Sequence, residues 1–310
     1  MGIVGRSIVG LLPLAPRFIV RWVAKRYVAG ESLEQAIEVM KRISSEGACF
    51  TIDVLGEEIS SMDETAFFIE EYGRALDAIV SNGIDANISI KPTAFGLLID
   101  KEAAINNIEK IVRRAANDQI FVRLDMEDSR VTQPTIDLLF SIHERGLTNI
   151  GLAIQGRLNR SIGDVTEICD RLGPDSDFRI CKGIYLEPSE IAKTDYWGIV
   201  NSTNEAIDAA INRGSYVAIA SHDDPVIEHS LTSLESAGMG PGKPDPRISP
   251  PSNRIGKGPG YEFQFLLGVR GDVRRKLCSD GHLTRVYLPY GARWYEYSMR
   301  RLRENPEVAV

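Results

Sequence analysis

Eight short apolar or β-branched runs recur along this chain, each four to six residues long, with longer stretches of helical periodicity between them. Runs of this length that alternate with helices are typical of buried parallel strands joined by crossover helices. Eight such units over about 260 residues predict an α/β fold, specifically a (β/α)8 barrel of the TIM type. The predicted strands are Cys49–Val54, Ala86–Ile90, Ile120–Leu124, Ile150–Ile154, Asp177–Cys181, Tyr216–Ala220, Phe263–Leu267 and Arg285–Leu288.

The stretches between these runs carry apolar residues at helical spacing, as Phe68, Tyr72 and Leu76 show at i, i+4 and i+8. An open doubly wound sheet is the alternative to the barrel, and it would place a glycine-rich turn after the first strand. The turn Leu55–Glu58 contains one glycine, which favours the barrel. The predicted helices are Asp63–Ile79, Lys101–Ala116, Gln133–Arg145, Gly198–Arg213, Pro225–Ser236 and a terminal helix, Glu296–Glu304.

Composition excludes several classes of protein. The chain is 43% hydrophobic and 25% charged, which is ordinary for a globular protein and unlike a disordered or fibrous one. No apolar run reaches the roughly 18 residues that span a bilayer. A net charge of −7 argues against nucleic acid as a partner. The four cysteines form no CxxC pair, which favours a reducing compartment such as the cytoplasm and predicts no metal framework.

The N-terminal segment differs in charge from the rest, since residues 1–30 contain five basic residues and no acidic one. Residues 8–20 are apolar like the core of a signal peptide, but they hold two prolines and an arginine, and no A-x-A site follows. A helix packed on the domain is the simplest interpretation. A basic amphipathic segment in peripheral contact with the inner face of the cell membrane is the alternative. We expect a helical segment at 1–45 and a barrel catalytic domain at 46–310.

Every predicted strand holds or delivers a polar side chain at or near its end. In a barrel the carboxyl ends of the strands meet at one mouth, where the chemistry of such enzymes is found. One polar strand end carries no information, because strands must emerge into water. Eight together predict a polar pocket at the mouth. These side chains are Asp53, Lys91, Asp125, Gln155, Arg179 with Lys182, His222, Gln264 and Tyr287.

The terminal helix presents a second constellation. Tyr297, Arg300, Arg301 and Glu304 fall at i, i+3, i+4 and i+7 and so share one face. Two adjacent guanidinium groups repel each other unless an anion lies between them, and arginine binds carboxylates in bidentate fashion. The face is either a clamp for a carboxylate or phosphate, or a solvated face whose cations suit the C-terminal end of the helix dipole.

The strand ends and the terminal helix together resemble the proline dehydrogenases, a family of flavin-dependent barrel enzymes. No single block is decisive, but their joint order and spacing over residues 30–305 is specific. The blocks are TIDVLGE at 51–57, KPTAFGL at 91–97, RLDMEDS at 123–129, AIQGRL at 153–158, RICKGIYLE at 179–187, ASHD at 220–223, EFQFLLGV at 262–269, RVYLPYG at 285–291 and YEYSMRRLREN at 295–305.

The resemblance implies oxidation of L-proline to Δ1-pyrroline-5-carboxylate, by hydride transfer from C5 to N5 of FAD, with electrons passed to a membrane quinone. Lys91 and Arg179 are the implied catalytic residues. The flavin performs the redox step, so the protein has to position the substrate and supply a favourable electrostatic field. The implied substrate-binding residues are Lys91, Asp125, Tyr185, Leu267, Tyr287, Arg300 and Arg301. The implied cofactor-binding residues are Gln155, Arg179, Lys182, His222, Asp223 and Glu304.

The chain departs from the family pattern mainly beside the cofactor. Asp223 stands where the family usually has asparagine, and Gly156 and Arg157 replace a small-then-aromatic pair. The resemblance also implies that a tyrosine at Tyr287 crowds C4 of the ring and disfavours 4-hydroxyproline. Three alternatives stay open: a 4-hydroxyproline or other cyclic amino acid dehydrogenase, a Schiff-base barrel enzyme using Lys91 or Lys182, and a proline-binding relic without catalysis. The oligomeric state is not predicted.

Overall fold

Eight parallel strands close into a barrel in the order β1 to β8, with β8 pairing back onto β1. The structure is a computed structural model that describes residues 17–247 and 258–304. The predicted (β/α)8 architecture is therefore confirmed. The strands are β1 (Cys49–Val54), β2 (Ala86–Ile90), β3 (Val122–Leu124), β4 (Ile150–Gln155), β5 (Asp177–Cys181), β6 (Tyr216–Ala220), β7 (Tyr261–Leu266) and β8 (Thr284–Tyr290).

Helices cover the outside of the barrel and extend beyond it at both ends of the chain. Those predicted from periodicity are present, and α5 begins one turn earlier than predicted, at Ser129, where Asp128 caps it by accepting the Arg130 N–H. The helices of the described residues are α1 (Arg17–Ala24), α2 (Leu33–Ser44), α3 (Thr65–Asn82), α4 (Lys101–Asn117), α5 (Ser129–Glu144), α6 (Ser161–Leu172), α7 (Tyr196–Asn212), α8 (Asp224–Ser236), α9 (Gly271–Ser279) and α10 (Trp294–Glu304). Sequence reasoning named neither α6 nor α9.

The strands alternate between an apolar outer face and a polar inner face. On β1, Phe50 and Ile52 belong to the hydrophobic core between sheet and helices, while Thr51 and Asp53 are buried polar residues. Deep in the barrel, Arg285 lies 2.9 Å from Glu262, and both side chains are fully buried. A second buried pair joins Arg123 on β3 to Asp177 on β5. The interior is therefore filled with paired charges, because an unpaired buried charge is too costly.

The N-terminal helix packs on the domain, as the simpler interpretation expected. Val20 and Ala24 of α1 share an apolar cluster with Met299 of α10. The following loop is fixed to the barrel by the Ala29 N–H, which donates to the Pro289 carbonyl at 2.8 Å. Gly268, at φ +75°, allows a close approach, since a Cβ there would lie 1.8 Å from the Arg26 carbonyl oxygen. Residues 1–16 lie outside the described range.

No helix within residues 17–247 and 258–304 is long and apolar enough to span a membrane. The Pro/Gly-rich connection at 238–260 contains no helix or strand in the parts that the structure describes, which end at Arg247 and resume at Gly258.

Candidate active site

The ends of β1, β2, β3 and β8 bring a compact charged cluster to the barrel mouth. Asp53 lies near the end of β1 beside Ser89 of β2, and Lys91 and Asp125 directly follow β2 and β3. Tyr287 on β8 completes the cluster. Because neighbouring parallel strands are in register, the closed barrel directs these side chains into one pocket.

Lys91 lies between two carboxylates. Its Nζ donates to Asp53 Oδ1 at 2.6 Å and to Asp125 Oδ2 at 3.4 Å. Its distance to the Tyr287 hydroxyl is also 3.4 Å. Of the two carboxylates, Asp53 is the closer partner of Lys91. The sequence includes Asp53 among the polar strand ends of the predicted pocket but not among the implied substrate-binding residues, because spacing alone does not tell which carboxylate a lysine reaches.

Asp125 is the centre of the hydrogen-bond network. Its Oδ1 accepts from the Ser89 hydroxyl at 2.5 Å and from Arg179 Nη1 at 2.5 Å. Its Oδ2 accepts from the Tyr287 hydroxyl at 2.7 Å in addition to Lys91. A carboxylate with four donors in a buried site holds all four groups in one arrangement. Asp125 therefore positions both implied catalytic cations.

Arg179 connects this cluster to the paired charges deeper in the barrel. Its Nε donates to Gln264 Oε1 at 2.6 Å, and Gln264 Nε2 donates to Glu262 Oε1 at 2.5 Å. Its Nη2 is buried and has no hydrogen-bond partner among the described residues. A guanidinium that is 6% exposed and keeps one donor unsatisfied is suited to a further acceptor in the pocket.

The protonation states follow from burial and from the neighbouring charges. Burial alone would raise the pKa of Asp125, but Lys91 and Arg179 hold this pKa below its usual value. Burial would lower the pKa of Lys91, and the negative charge of Asp53 reverses this and raises the Lys91 pKa well above its usual value. Burial raises the pKa of Asp53 to about 6, against the Lys91 charge. At neutral pH, Lys91 is therefore an ammonium held by two carboxylates.

A Lys91 that is buried and ion-paired with two carboxylates is poorly suited to Schiff-base chemistry, because that chemistry requires a neutral amine. Lys182, the other candidate nucleophile, forms an ion pair with Asp223. The arrangement instead offers an ammonium to an anion in the pocket. The described residues include no group of three or more His, Cys, Asp or Glu side chains placed to hold a metal ion.

The residues expected beside the cofactor lie at the ends of β4, β5 and β6. Gln155 is buried, and its Nε2 donates to the Glu127 carbonyl oxygen at 2.7 Å. His222 Nε2 accepts the Leu266 N–H at 3.0 Å, so the ring is oriented by the backbone of β7. Lys182 and Asp223, partly exposed, contact each other across the β5 and β6 ends. The four thus line one sector of the mouth.

Of the residues expected to contact the substrate ring, Leu267 is buried directly after β7, and its N–H donates to the Tyr287 carbonyl at 3.0 Å. Tyr185 is partly buried in the loop after β5, and its carbonyl accepts from Arg157 Nη1. The side chains of Arg300, Arg301 and Glu304 lie outside the described part of the structure. Their helix, α10, begins four residues after β8 ends.

Glu127 is a further buried acid that sequence reasoning missed. It accepts hydrogen bonds from the backbone N–H of Thr93, at 3.1 Å, and from the Thr93 hydroxyl. Burial raises its pKa to about 7, against these hydrogen bonds. Thr93 follows Lys91 by two residues, so Glu127 supports the loop that carries the lysine. Its only signal in the sequence was its place in the RLDMEDS block.

Replacing Glu127 with glutamine is expected to make stability less dependent on pH. The folded-state pKa lies above the ordinary value, so the stabilisation is complete in acid and is lost as the pH rises through 7. Between about pH 5 and pH 8 the free energy of unfolding of the wild type should fall by on the order of 2–3 kcal/mol relative to Glu127→Gln. Urea unfolding at both pH values measures this. Glu144→Gln, at an exposed site, is the control and should follow the wild type.

Comparisons with known proteins agree with this site. The sequence profile described as proline dehydrogenase matches residues 36–309. Proline dehydrogenase 1 of Bacillus subtilis subsp. natto is 31% identical over 97% of this chain and 92% of its own length. The proline dehydrogenase of Deinococcus radiodurans is also 31% identical, over 93% of this chain and 87% of its own.

Solved structures agree in fold. The crystal structure of proline utilization A (PutA) from Bdellovibrio bacteriovorus superimposes with a TM-score of 0.81 at 21% identity. The match covers 92% of this chain and 33% of that longer one. At this identity the likeness supports the barrel fold, whereas the profile and the two relatives extend over nearly the whole chain. The chain therefore belongs to the proline dehydrogenase family of oxidoreductases.

Proposed function

We propose that this chain oxidises L-proline to Δ1-pyrroline-5-carboxylate with FAD as its cofactor, opening proline catabolism. The observation that carries the proposal is the buried ammonium of Lys91, held at the barrel mouth beside Arg179, in a chain of this family. In an amino acid without a charged side chain, the carboxylate is the group that a protein can bind most strongly. A buried ammonium in the pocket is complementary to that carboxylate.

The described residues fit a flavin. Arg179 has a buried donor without a partner among the described residues, which suits an acceptor atom of the isoalloxazine ring. Gln155, Lys182 and His222 line the adjoining sector, and we assign them to the isoalloxazine, the ribityl and phosphate chain, and the adenine end. FAD would supply the hydride acceptor for oxidation of the C–N bond. The protein then needs cations and shape rather than a nucleophile.

The chain's own residues bind and orient the substrate. Lys91 binds the carboxylate of L-proline, with Arg300 and Arg301 of α10 as further proposed ligands. Asp53 and Asp125 keep Lys91 protonated and in place. Tyr287 is fixed by its bond to Asp125, so its ring is a rigid wall. We propose that this wall, with Leu267 and Tyr185, selects proline over 4-hydroxyproline.

Asp53 pairs with Lys91, and Asp125 pairs with both Lys91 and Arg179, so a proton taken up by either acid would weaken the ion pairs that hold these cations. We therefore propose that L-proline binds with its amine neutral, the proton having been left in solvent. kcat/KM should then rise with pH up to the pKa of the substrate amine. We further propose a membrane quinone as the electron acceptor and a cytoplasmic location, with the basic segment 1–30 in peripheral contact with the membrane.

An anaerobic visible spectrum before and after addition of L-proline tests the proposal. We expect a bound flavin whose absorption bleaches with L-proline and bleaches far more slowly with 4-hydroxyproline. A flavin that stays oxidised with L-proline but bleaches with another cyclic amine would contradict the assigned substrate. A purified protein that is colourless and cannot be reconstituted with FAD would contradict the cofactor and favour a binding protein.

The ion pair between Lys182 and Asp223 predicts a specific effect on FAD affinity. If Lys182 binds the phosphates of FAD, Asp223 competes for its ammonium. Asp223→Asn should strengthen FAD binding by about fivefold, in line with roughly 1 kcal/mol for a partly exposed pair. Titration of the apoprotein with FAD, followed by flavin fluorescence, measures this. Asp224→Asn is the matched control, since Asp224 pairs with Arg270 instead. Weaker binding of FAD by Asp223→Asn would contradict the proposed competition between Asp223 and the FAD phosphates for Lys182.

A further inference from the structure

A cleft of about 660 Å³ lies on the outside of the barrel, beyond the catalytic cluster. Helices α1, α2 and α9 form its sides, and residues of β7 and β8 form its floor. One of the described residues that line it is Leu267, which directly follows β7, so the cleft adjoins the mouth of the barrel. Neither Lys91 nor Arg179 lines it. The cleft therefore adjoins the proposed site of proline oxidation but does not contain its charged cluster.

Its lining has more positive than negative charge. Three glutamates offset six basic side chains, which leaves an excess of three positive charges. Arg21 pairs with Glu31 at 2.7 Å, whereas Lys25 and Arg42 have no carboxylate within ion-pair distance in the described ranges. Charges that a protein does not balance internally attract anions from solution or from a surface. The six basic residues are Arg21, Lys25, Arg26, Arg42, Arg274 and Arg275.

Arg274 supplies a second, independent observation. Its side chain is 5% exposed, its Nη2 contacts Glu46, and its Nη1 is buried with no hydrogen-bond partner in the described part of the chain. Glu46 is shared with Arg275, whose Nη1 lies 3.6 Å away. One carboxylate thus serves two guanidinium groups at this wall. An anion in the cleft would supply the missing negative charge, and leaving a buried donor unsatisfied is costly.

The neighbouring helix α1 indicates which anion. Trp22 is 64% exposed, and the Arg26 guanidinium lies 5.4 Å from the centre of its ring. Exposed tryptophan beside basic residues is typical of protein surfaces at the interface between lipid headgroups and acyl chains. Basic residues next to such a surface are attracted to anionic lipids. A soluble phosphate would satisfy the cations but would leave Trp22 without a function.

We propose that this cleft binds the phosphate headgroup of an anionic phospholipid, with Trp22 inserted into the interface of the same bilayer. This inference rests on the proposed function, in which the electron acceptor is a membrane quinone. Because the cleft and the mouth share Leu267, a bilayer bound here lies beside the mouth. The basic residues of α1, α2 and α9 would then form one docking surface.

Sedimentation of the full-length holoenzyme with lipid vesicles tests the proposal. Vesicles of phosphatidylcholine with a phosphatidylglycerol fraction should bind the wild type, and vesicles of phosphatidylcholine alone should not. The double variant Arg42→Gln, Arg275→Gln should bind about 25-fold more weakly, at roughly fivefold for each cation lost. The matched control is Arg113→Gln, Arg171→Gln, which removes two exposed arginines of α4 and α6. It should bind like the wild type.

Three outcomes would overturn the proposal: an equal loss in both double variants, equal binding to both vesicle types, or a Trp22→Ala variant that binds as well as the wild type. Inorganic phosphate is the probe for a soluble ligand. If it displaces the protein more effectively than chloride of equal ionic strength and no preference for anionic lipid is found, the cleft is a soluble-phosphate site. Dye-coupled oxidation of L-proline, measured in parallel, should be the same in all these variants. Its absence in the wild type would contradict the proposed function and leave the vesicle result to stand separately.

Discussion

The Lys91→Met variant is expected to oxidise L-proline with kcat/KM lowered by about 10²- to 10³-fold, mainly through a higher KM. Lys91 is an almost fully buried ammonium, and truncation of one partner of a buried charge pair costs about 2–5 kcal/mol. The substrate carboxylate would lose this partner and would face the two acids that Lys91 neutralises. Steady-state kinetics and the Kd of a proline analogue measure the effect. Lys110→Met, on the exposed face of α4, is the control.

The same substitution should alter stability in a way that depends on pH. Without Lys91, Asp53 and Asp125 remain buried together, and the loss of the opposing charge raises the pKa of both above their present values. Acids with raised folded-state pKa values destabilise the fold as the pH rises through them, so Lys91→Met should be least stable at alkaline pH. The double variant Asp53→Asn, Lys91→Met should recover stability without recovering KM. Recovery of both would show that Lys91 acts only on the structure.

Much of this architecture was predictable because it depends on local patterns. Alternation of short apolar runs with helical stretches identified the barrel, and four of the eight strands have the predicted bounds, among them Cys49–Val54 and Asp177–Cys181. The two unnamed helices differ from the rest. Helix α9 is polar and only nine residues long, so its apolar stripe is too short to stand out. Helix α6 is amphipathic, with Val165 and Ile168 buried, so its pattern is present in the sequence although the helix is not in the predicted set.

The ion pairs within the site were harder to predict from the sequence. The resemblance placed Lys91, Asp125 and Arg179 in one pocket, and the structure brings them together. It did not reveal that Asp53 is the nearest partner of Lys91, because that contact joins residues 38 positions apart and depends on the register of β1 against β2. Which carboxylate pairs with which cation depends on three-dimensional packing. The types and spacing of the residues do not determine it.

The Asp125→Asn variant should lower kcat/KM at least as much as Lys91→Met does, because it removes the carboxylate that contacts both Lys91 and Arg179. The amide keeps the shape and one acceptor, but it offers no charge to Lys91, Arg179 or Tyr287. We expect kcat/KM for L-proline to fall by about 10³-fold, the upper part of the range for losing one partner of a buried charged network. Unlike the lysine variant, it should also slow the anaerobic reduction of flavin at saturating proline, since Arg179 loses its support.

Tyr287→Phe separates this role of Asp125 from general damage to the pocket. It removes one donor to Asp125 and the 3.4 Å contact between the hydroxyl and Lys91, but Asp125 keeps its own contacts with Lys91 and Arg179. kcat/KM should therefore fall by no more than about tenfold. The rate of flavin reduction and the flavin spectrum should stay close to those of the wild type. If Asp125→Asn instead matched Tyr287→Phe in both rate and spectrum, the charge of Asp125 would be irrelevant to the cations. Lys91 would then be held by Asp53 alone, and Arg179 by Gln264.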